Sequence, residues 1–256
     1  MKLAIKFLLF ILCIYFTAKF CEVETDGFRI SRISSFLKSG PEITHEVRAE
    51  LEPIFNQKFY YLGSGGQCWA FVSEDEHYVL KFFKFHRRKH PKLQQDFKSY
   101  QLAYDSLKNE TGLVYLHLDK TESLGLIARV VDKIAIEHPI DLDTHAFLVQ
   151  KKGVLVFDYI RSLMEQNKEE EARDALRQLS LLIKKRCQKG IGDEDPRLHR
   201  NIGFVGSTPI FIDTGRFKED PSRKDPAIYQ KDLTKITYRL KEWLLKEYPA
   251  LAMELP

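Results

Sequence analysis

Cysteine is scarce in this chain, and the four cysteines that it has are far apart. One of them, Cys13, lies in an apolar N-terminal run, which leaves Cys21, Cys68 and Cys187 for the rest. Three widely spaced cysteines provide neither a dense disulfide framework nor the paired spacing of a zinc site. Both of these classes are therefore excluded, and a single disulfide stays open.

The chain also lacks a strong excess of charge of either sign. Its net charge is +4, and three of its lysines, Lys2, Lys6 and Lys19, lie near the N-terminus. Without these three the remainder carries only +1, so we expect no nucleic-acid partner. The 44% hydrophobic content over 256 residues is enough for a sizeable core, in one large domain or in two lobes.

No apolar run is long enough for a comfortable membrane span. The run from Phe7 to Phe16 is short, and Lys2 and Lys6 precede it. This order is typical of a secretory signal peptide or a short signal anchor, to which we assign residues 1–20. It predicts an exported or secreted protein, with membrane association through an uncleaved segment as a further option. A buried N-terminal helix is the alternative.

A glycine cluster precedes two runs of β-forming residues; it consists of Gly63, Ser64, Gly65 and Gly66. The runs that follow are 68–72 and, after a polar turn, 78–83. A Rossmann fingerprint must instead open a helix, and a Walker A loop needs a following Lys-Ser or Lys-Thr. The cluster therefore predicts a hairpin that covers phosphate groups, with an ordinary turn as the alternative.

Lys81 lies inside the second of these apolar runs. Burying its ammonium group is costly without anionic partners, and the phosphates of a nucleotide plus a carboxylate would supply them. The alternative is an edge strand whose lysine faces water.

Two further short strands are predicted at 204–205 and 210–212, around a turn that contains Gly206 and Pro209. Asp213 falls at the end of the second strand and is followed by Thr214 and Gly215. An aspartate in this position is suited to hold a magnesium ion, and Asn201 would supply an amide oxygen to the same ion. A hairpin with a turn-forming aspartate is the alternative.

Taken together, these segments resemble the protein kinase-like superfamily. The resemblance rests on a glycine hairpin with a strand lysine, an acidic loop that ends in asparagine, and an Asp-x-Gly sequence. It covers roughly Tyr60 to Phe217. The chain departs from the family at Cys68, where a third glycine is usual, and in having no Ala-Pro-Glu sequence after Gly215.

The resemblance implies an α+β, two-lobed protein kinase-like fold with a shortened C-terminal lobe. A helical extension would occupy 21–56, the N-lobe 57–152 and the C-lobe 153–256. The backbone of a hinge that starts at Gln150 would bind adenine. In a kinase a helix carboxylate pairs with the strand lysine, and here we rank Glu110 first, ahead of Asp96 and Asp105.

The resemblance also implies a division of roles for ATP and for Mg²⁺ or Mn²⁺. The glycine cluster and Lys81 would contact phosphates, and Asn201 and Asp213 would hold the metal. Asp195 would orient or deprotonate the acceptor hydroxyl, with Asp193 as its rival. A plain solvated acidic loop is the alternative for both aspartates.

The expected function is phosphoryl transfer from a nucleotide to an unknown hydroxyl acceptor, either a protein or a small molecule. One alternative is a nucleotide-binding pseudokinase, an envelope or secreted interaction module that keeps the fold without turnover. The other is a structural or interaction protein whose glycine hairpin is only a turn. Retention of Lys81, Asp195, Asn201 and Asp213 favours activity.

Helices are predicted at four places from caps and apolar spacing. One starts after Thr44 and stops at Pro53, and another covers about 91–108. A long helix runs from Asn167 to Lys189, and the last spans about 228–246.

Overall fold

The computed structural model describes residues 2–35, 38–85 and 90–256. Helices and strands mix along the chain, which confirms the predicted α+β class. The helices are α1 (Lys2–Glu24), α2 (His45–Phe55), α3 (His90–Thr111), α4 (Val156–Glu165), α5 (Glu169–Gln188), α6 (Leu198–Asn201) and α7 (Pro226–Glu247). The strands are β1 (Lys58–Ser64), β2 (Cys68–Ser73), β3 (Tyr78–Phe83), β4 (Leu113–His117), β5 (Ile127–Val131), β6 (Glu137–Asp141), β7 (Phe147–Lys151), β8 (Val154–Leu155), β9 (Ile191–Asp193), β10 (Ile202–Val205), β11 (Thr208–Phe211) and β12 (Phe217–Glu219).

The chain divides into two compact units. The first comprises Met1–His90 and His117–Leu148, and the second comprises Pro91–Leu116 and Val149–Pro256. The lobe boundaries given above stay a prediction, because compactness alone does not identify kinase lobes.

The first unit is built on a sheet in which neighbouring strands follow the order β7-β3-β2-β1-β5-β6. β2 pairs antiparallel with both β1 and β3, and β1 pairs parallel with β5. Phe59, Phe71 and Phe82 are fully buried on this sheet, and the ring of Phe28 lies edge-on to Phe71 at 5.2 Å. Burying each aromatic side chain stabilises the unit by roughly 2 kcal/mol. Because β3 has β7 on one side and β2 on the other, it is an inner strand of the sheet.

The glycine cluster covers the end of β1 and the start of its connection to β2, and these two strands form the predicted hairpin. Ser64 is opposite Trp69, and the N–H of Gly65 donates to the carbonyl of Cys68 at 2.9 Å. The register of the two strands shifts between Tyr61 and Gly63, as at a β-bulge. The connection is a hairpin turn and does not open a helix.

The helix after Thr44 forms as predicted, but Pro53 does not end it. The Thr44 hydroxyl accepts from the N–H of Val47 at 3.5 Å, and α2 continues through Pro53 to Phe55. Proline removes one backbone hydrogen bond. Ile54 and Phe55 are buried, and their packing stabilises the last turn beyond it.

The first helix, α1, has 23 residues, and the apolar side chains of its middle part are exposed. Over the described residues, no helix meets the length and hydropathy needed to cross a membrane. The assignment of residues 1–20 to a signal peptide or anchor stays a prediction. All four cysteines are unpaired, so the open disulfide does not form.

Helix α5 lies in the core of the second unit, where it contacts α4, α7, β9 and β11. Its predicted apolar positions are all buried: Leu176, Leu179, Leu182, Ile183 and Cys187. Gly190, with φ of 72°, follows its end as predicted. The observed last helix, α7, extends the predicted one by about one residue or two at each end, and Asp225 caps it.

Asn167 was predicted to open the long helix α5, and this prediction is wrong. It has a φ of 60°, and its N–H donates to the Met164 carbonyl while that of Lys168 donates to the Leu163 carbonyl. This pair of bonds is the Schellman pattern that ends a helix. Asn167 therefore terminates α4, a helix that was not predicted, and α5 begins at Glu169.

Two ladders of the second unit bring its polar loops together. β10 and β11 form the predicted hairpin, with Ile202 opposite Phe211. β9 pairs with β12, so Asp193 is opposite Phe217. The segment that begins at Asp193 and the segment that contains Asp213 consequently lie next to each other.

Candidate functional site

The glycine turn, defined as residues 63–66, exposes backbone on the first unit. A Cβ atom built at Gly63 or Gly66 would meet nothing within 4 Å, and at Gly65 only the Cys68 carbonyl at 3.9 Å. None of these three glycines has a positive φ. The fold itself therefore does not require glycine here, and the open backbone leaves room for a ligand to approach closely.

Lys81 lies on β3, opposite Ala70 of β2, and the residue is only 8% exposed. β3 has strands on both sides, so the alternative of a lysine that faces water from an edge strand does not apply. A buried ammonium group requires anionic or polar partners. Its role in binding phosphate stays a prediction.

Lys84 is a polar residue of the first unit that the sequence reasoning missed. Its ammonium group donates to the Ser64 hydroxyl at 2.5 Å and to the Gly65 carbonyl at 2.6 Å, and it lies over the Trp69 ring. Burial lowers the pKa of Lys84. The signal was its place directly after the strand that carries Lys81, as the first residue of a basic stretch, 84–92, which the sequence predicts to be a solvated surface. Residues 86–89 of this stretch lie outside the described part of the chain.

Asp193 ends β9 in the second unit, and its side chain is 5% exposed. Its Oδ2 pairs with the Arg186 guanidinium at 3.1 Å, and its Oδ1 accepts from the Asp195 N–H at 2.9 Å. Burial raises the pKa of Asp193 to about 6, although Arg186 acts to lower it. Asp193 is thus held in place by two partners.

Arg186 was not singled out from the sequence, although a signal existed. It continues the apolar stripe of α5 at helical spacing from Leu182 and Ile183, where a charged residue is unexpected. Its guanidinium lies 5.5 Å from the Phe211 ring and 5.6 Å from the Phe217 ring. These rings and Asp193 together surround its charge.

Asp195 differs from Asp193 in its exposure. Its side chain is 40% exposed, and its carboxylate pairs with the Arg197 guanidinium at 2.7 Å. Its backbone carbonyl accepts from the side-chain amide of Asn201 at 2.7 Å.

Asn201 and Asp213 are joined through the backbone. The Asn201 carbonyl accepts from the N–H of Ile212 at 2.7 Å and from that of Asp213 at 3.4 Å. The Oδ1 of Asp213 accepts from the Tyr100 hydroxyl at 3.2 Å and from the Gly215 N–H at 3.0 Å. We call Asp195, Asn201 and Asp213, with these bonds, the Asn201 network. Over the described residues, no three His, Cys, Asp or Glu side chains form a metal-binding group.

Helix α3 carries the carboxylates that were considered as partners of Lys81. Glu110 lies 3.8 Å from Lys189, and Asp96 lies 3.8 Å from Arg216. The helix also ties the Asp213 segment in place, because the Ser99 hydroxyl donates to the Thr214 carbonyl at 2.5 Å. A pairing of Glu110 with Lys81 stays a prediction.

Gln150 lies within β7 and is 2% exposed. Its amide nitrogen donates to the carbonyls of Thr111 and Phe211, at 2.6 and 2.9 Å. The segment that links β7 to β8 is therefore limited to Lys152 and Gly153, which is shorter than the predicted hinge. Adenine binding by this segment is untested.

No protein-family model and no curated protein matches the chain. Among solved structures it is similar to the crystal structure of WbdD, with a TM-score of 0.43 and 15% sequence identity, over 79% of this chain and 47% of that one. The chain thus spans about half the length of WbdD. A TM-score of this size does not establish a shared fold, so the α+β class rests on the helices and strands described above.

Proposed function

We propose that the chain is a kinase-like phosphotransferase that moves the γ-phosphoryl group of ATP to the hydroxyl of an acceptor. The proposal includes a two-lobed kinase-like fold with a shortened C-terminal lobe. The observation that carries it is the Asn201 network. In that network an amide and a carboxylate lie at one end of the β10-β11 hairpin, beside the loop that carries Asp195.

Asn201 and Asp213 fit the needs of Mg²⁺ or Mn²⁺ that arrives with a nucleotide. The Asn201 nitrogen is occupied by the Asp195 carbonyl, which leaves the amide oxygen for a cation. Magnesium is commonly bound by one or two carboxylates plus substrate phosphates and water, so a larger cluster of protein ligands is not needed. The metal, when bound, would neutralise charge on the phosphates.

The first unit would contribute the phosphate contacts. The open backbone of Gly63, Gly65 and Gly66 allows phosphate oxygens to approach, and Ser64 adds a hydroxyl. The buried ammonium group of Lys81 would supply a positive charge.

In the proposed step, the acceptor oxygen forms a bond to the γ-phosphorus. The bond from that phosphorus to the oxygen shared with the β-phosphate breaks, and ADP leaves with the electron pair. The acceptor proton passes to the Asp195 carboxylate, which is exposed. Asp193 is buried against Arg186 and would act as a positioning residue.

A nucleotide-binding pseudokinase is the second candidate, and one observation favours it. The Arg197 guanidinium pairs with the Asp195 carboxylate at 2.7 Å, so an oxygen of that carboxylate is already engaged and does not face an acceptor proton. A protein that binds nucleotide while this pair stays closed would not turn over. It would then serve as an envelope or secreted interaction module.

Both candidate functions require nucleotide binding. Thermal unfolding with and without ATP and Mg²⁺ or Mn²⁺ tests this binding. A nucleotide at 100 times its dissociation constant should stabilise the protein by about 2.7 kcal/mol. Lys81→Met should reduce this gain, and Lys38→Met, a change at an exposed lysine of the same unit, should not. An absence of stabilisation by ATP, GTP or ADP with either metal would contradict both candidates. Production of ADP, or of a phosphorylated acceptor, separates the kinase from the pseudokinase.

A further inference from the structure

A pocket of about 600 Å³ lies within the second unit, between the loop that follows Asp195 and helix α7. Its volume is in the range of sites for small molecules. We call it the basic pocket because five of its lining residues are basic and none is acidic: Arg197, His199, Arg200, Lys235 and Arg239. Phe157, Ile236 and Leu240 provide an apolar part of its wall.

Most of the positive charges of the basic pocket are not neutralised by the protein. Over the described residues, the side chains of Arg200, Lys235 and Arg239 take part in no ion pair, whereas Arg197 pairs with Asp195. Asp158, which follows the lining residue Phe157 along α4, is paired with Arg161 on the same helix. Cations of one sign in a concave site repel one another and attract an anion.

We propose that the basic pocket binds the phosphate group of a small acceptor, which carries a hydroxyl as well. The inference rests on the proposed function and names its substrate class. A phosphate dianion accepts charge-assisted hydrogen bonds from several arginines at once. Pro196 and Arg197 line the pocket and directly follow Asp195 in the same loop. An acceptor in the pocket would therefore lie next to the candidate base.

Arg197 links the pocket to Asp195. In the free protein its guanidinium pairs with the Asp195 carboxylate, and it also lines the pocket. An anion in the pocket competes for this guanidinium, which frees the carboxylate to accept the hydroxyl proton. Binding of the correct acceptor would thus activate the base.

The test uses the full chain, with inorganic phosphate and glycerol 3-phosphate as probes and without nucleotide. Binding is measured by calorimetry. The double variant Lys235→Gln/Arg239→Gln removes two unpaired charges, and Lys246→Gln, an exposed lysine on the same helix, is the control. We expect both probes to bind the wild type and the control with equal affinity, and to bind the double variant at least about tenfold more weakly.

Several results would overturn the proposal. These are an absence of binding of both probes, equal affinity of the double variant and the wild type, and preference for a polyanionic peptide over both small probes. Competition between ATP and phosphate for the pocket would also overturn it, since the pocket would then be a nucleotide site. Thermal stabilisation by ATP, measured on the same variants, tests the proposed function separately. If ATP does not stabilise the protein while phosphate still binds, the proposed nucleotide site is contradicted and the basic pocket is not.

Discussion

The glycine turn of the first unit and the Asn201 network of the second hold their polar groups in different ways. The turn offers open backbone, and the Lys84 ammonium group donates to its Ser64 hydroxyl and Gly65 carbonyl. In the network each of the three side chains has a bonded partner: Arg197 for Asp195, the Asp195 carbonyl for Asn201, and Tyr100 and the Gly215 N–H for Asp213. The adjacent Asp193 is held by Arg186. Changes in the turn should therefore alter ligand binding alone, whereas changes around the network should also alter stability.

The largest effect on stability is expected from Arg186→Met. The variant leaves the buried Asp193 carboxylate without its charged partner, and breaking a buried pair in this way costs about 3 to 5 kcal/mol. The cost should shrink at acidic pH, where Asp193 takes up a proton. Denaturant unfolding of the variant and of the wild type, at neutral and at acidic pH, measures this cost.

Arg177→Met is the matched control on the same helix. Arg177 pairs with Glu254 at the surface, and such exposed pairs contribute about 1 kcal/mol or less. Similar losses in both variants would mean that the buried pair adds no more to stability than a surface pair does.

Asp195→Asn should lower the rate of phosphoryl transfer by roughly a hundredfold and spare nucleotide binding, because it removes the proposed base. Asp193→Asn should act mainly on stability. ADP production and nucleotide affinity are measured for both. A transfer rate that falls in Asp193→Asn and not in Asp195→Asn would reverse the two roles.

Asp193 should make stability depend on pH. Its pKa in the folded protein is raised to about 6 from 3.8, so the folded state binds more protons than the unfolded state between these values. The free energy of unfolding should then fall as pH rises through this window, by on the order of 2 kcal/mol. Asp193→Asn should remove this part of the slope, and an unchanged slope would show that the carboxyl is not shifted.

The smallest effect is expected from Lys84→Met. It removes two hydrogen bonds to the glycine turn at a partly exposed site, which should increase exchange of the Gly65 amide by an amount equivalent to about 1 kcal/mol. Lys133→Met, at an exposed ion pair of the same unit, should leave this amide unchanged. A loss of global stability in Lys84→Met would mean that the turn is part of the core.

Elements that depend on residues close together in the chain were predicted correctly. The two hairpins followed from β-forming runs on either side of turn residues, and the apolar face of α5 followed from its spacing. The failures involve residues with two available roles. Asn167 favours both ends of a helix, and the bonds that it makes to α4 decide the outcome. Pro53 stays within α2 because the residues after it are buried.

The polar partners of the candidate-site residues were harder to predict than the site residues themselves. Asp213 at a strand end and Asn201 before a strand were predicted from the hairpin between them. The pairing of Arg186 with Asp193, and of Lys84 with the glycine turn, depends on which strands and helices meet in space. Spacing along the chain does not contain that information, although a charge on an apolar stripe indicates that a partner exists.

The metal dependence of ATP affinity in Asp213→Asn is the most direct test of the proposed nucleotide site. Asparagine keeps the oxygen that accepts from Tyr100 and Gly215, so folding should lose no more than about 1 kcal/mol. We predict that ATP binds the wild type and Asp174→Asn, an exposed control, more tightly with Mg²⁺ than without it. We also predict that Asp213→Asn stays folded and loses this dependence. An Asp213→Asn variant that unfolds but keeps residual affinity for ATP, or that binds ATP and Mg²⁺ as the wild type does, would contradict the account.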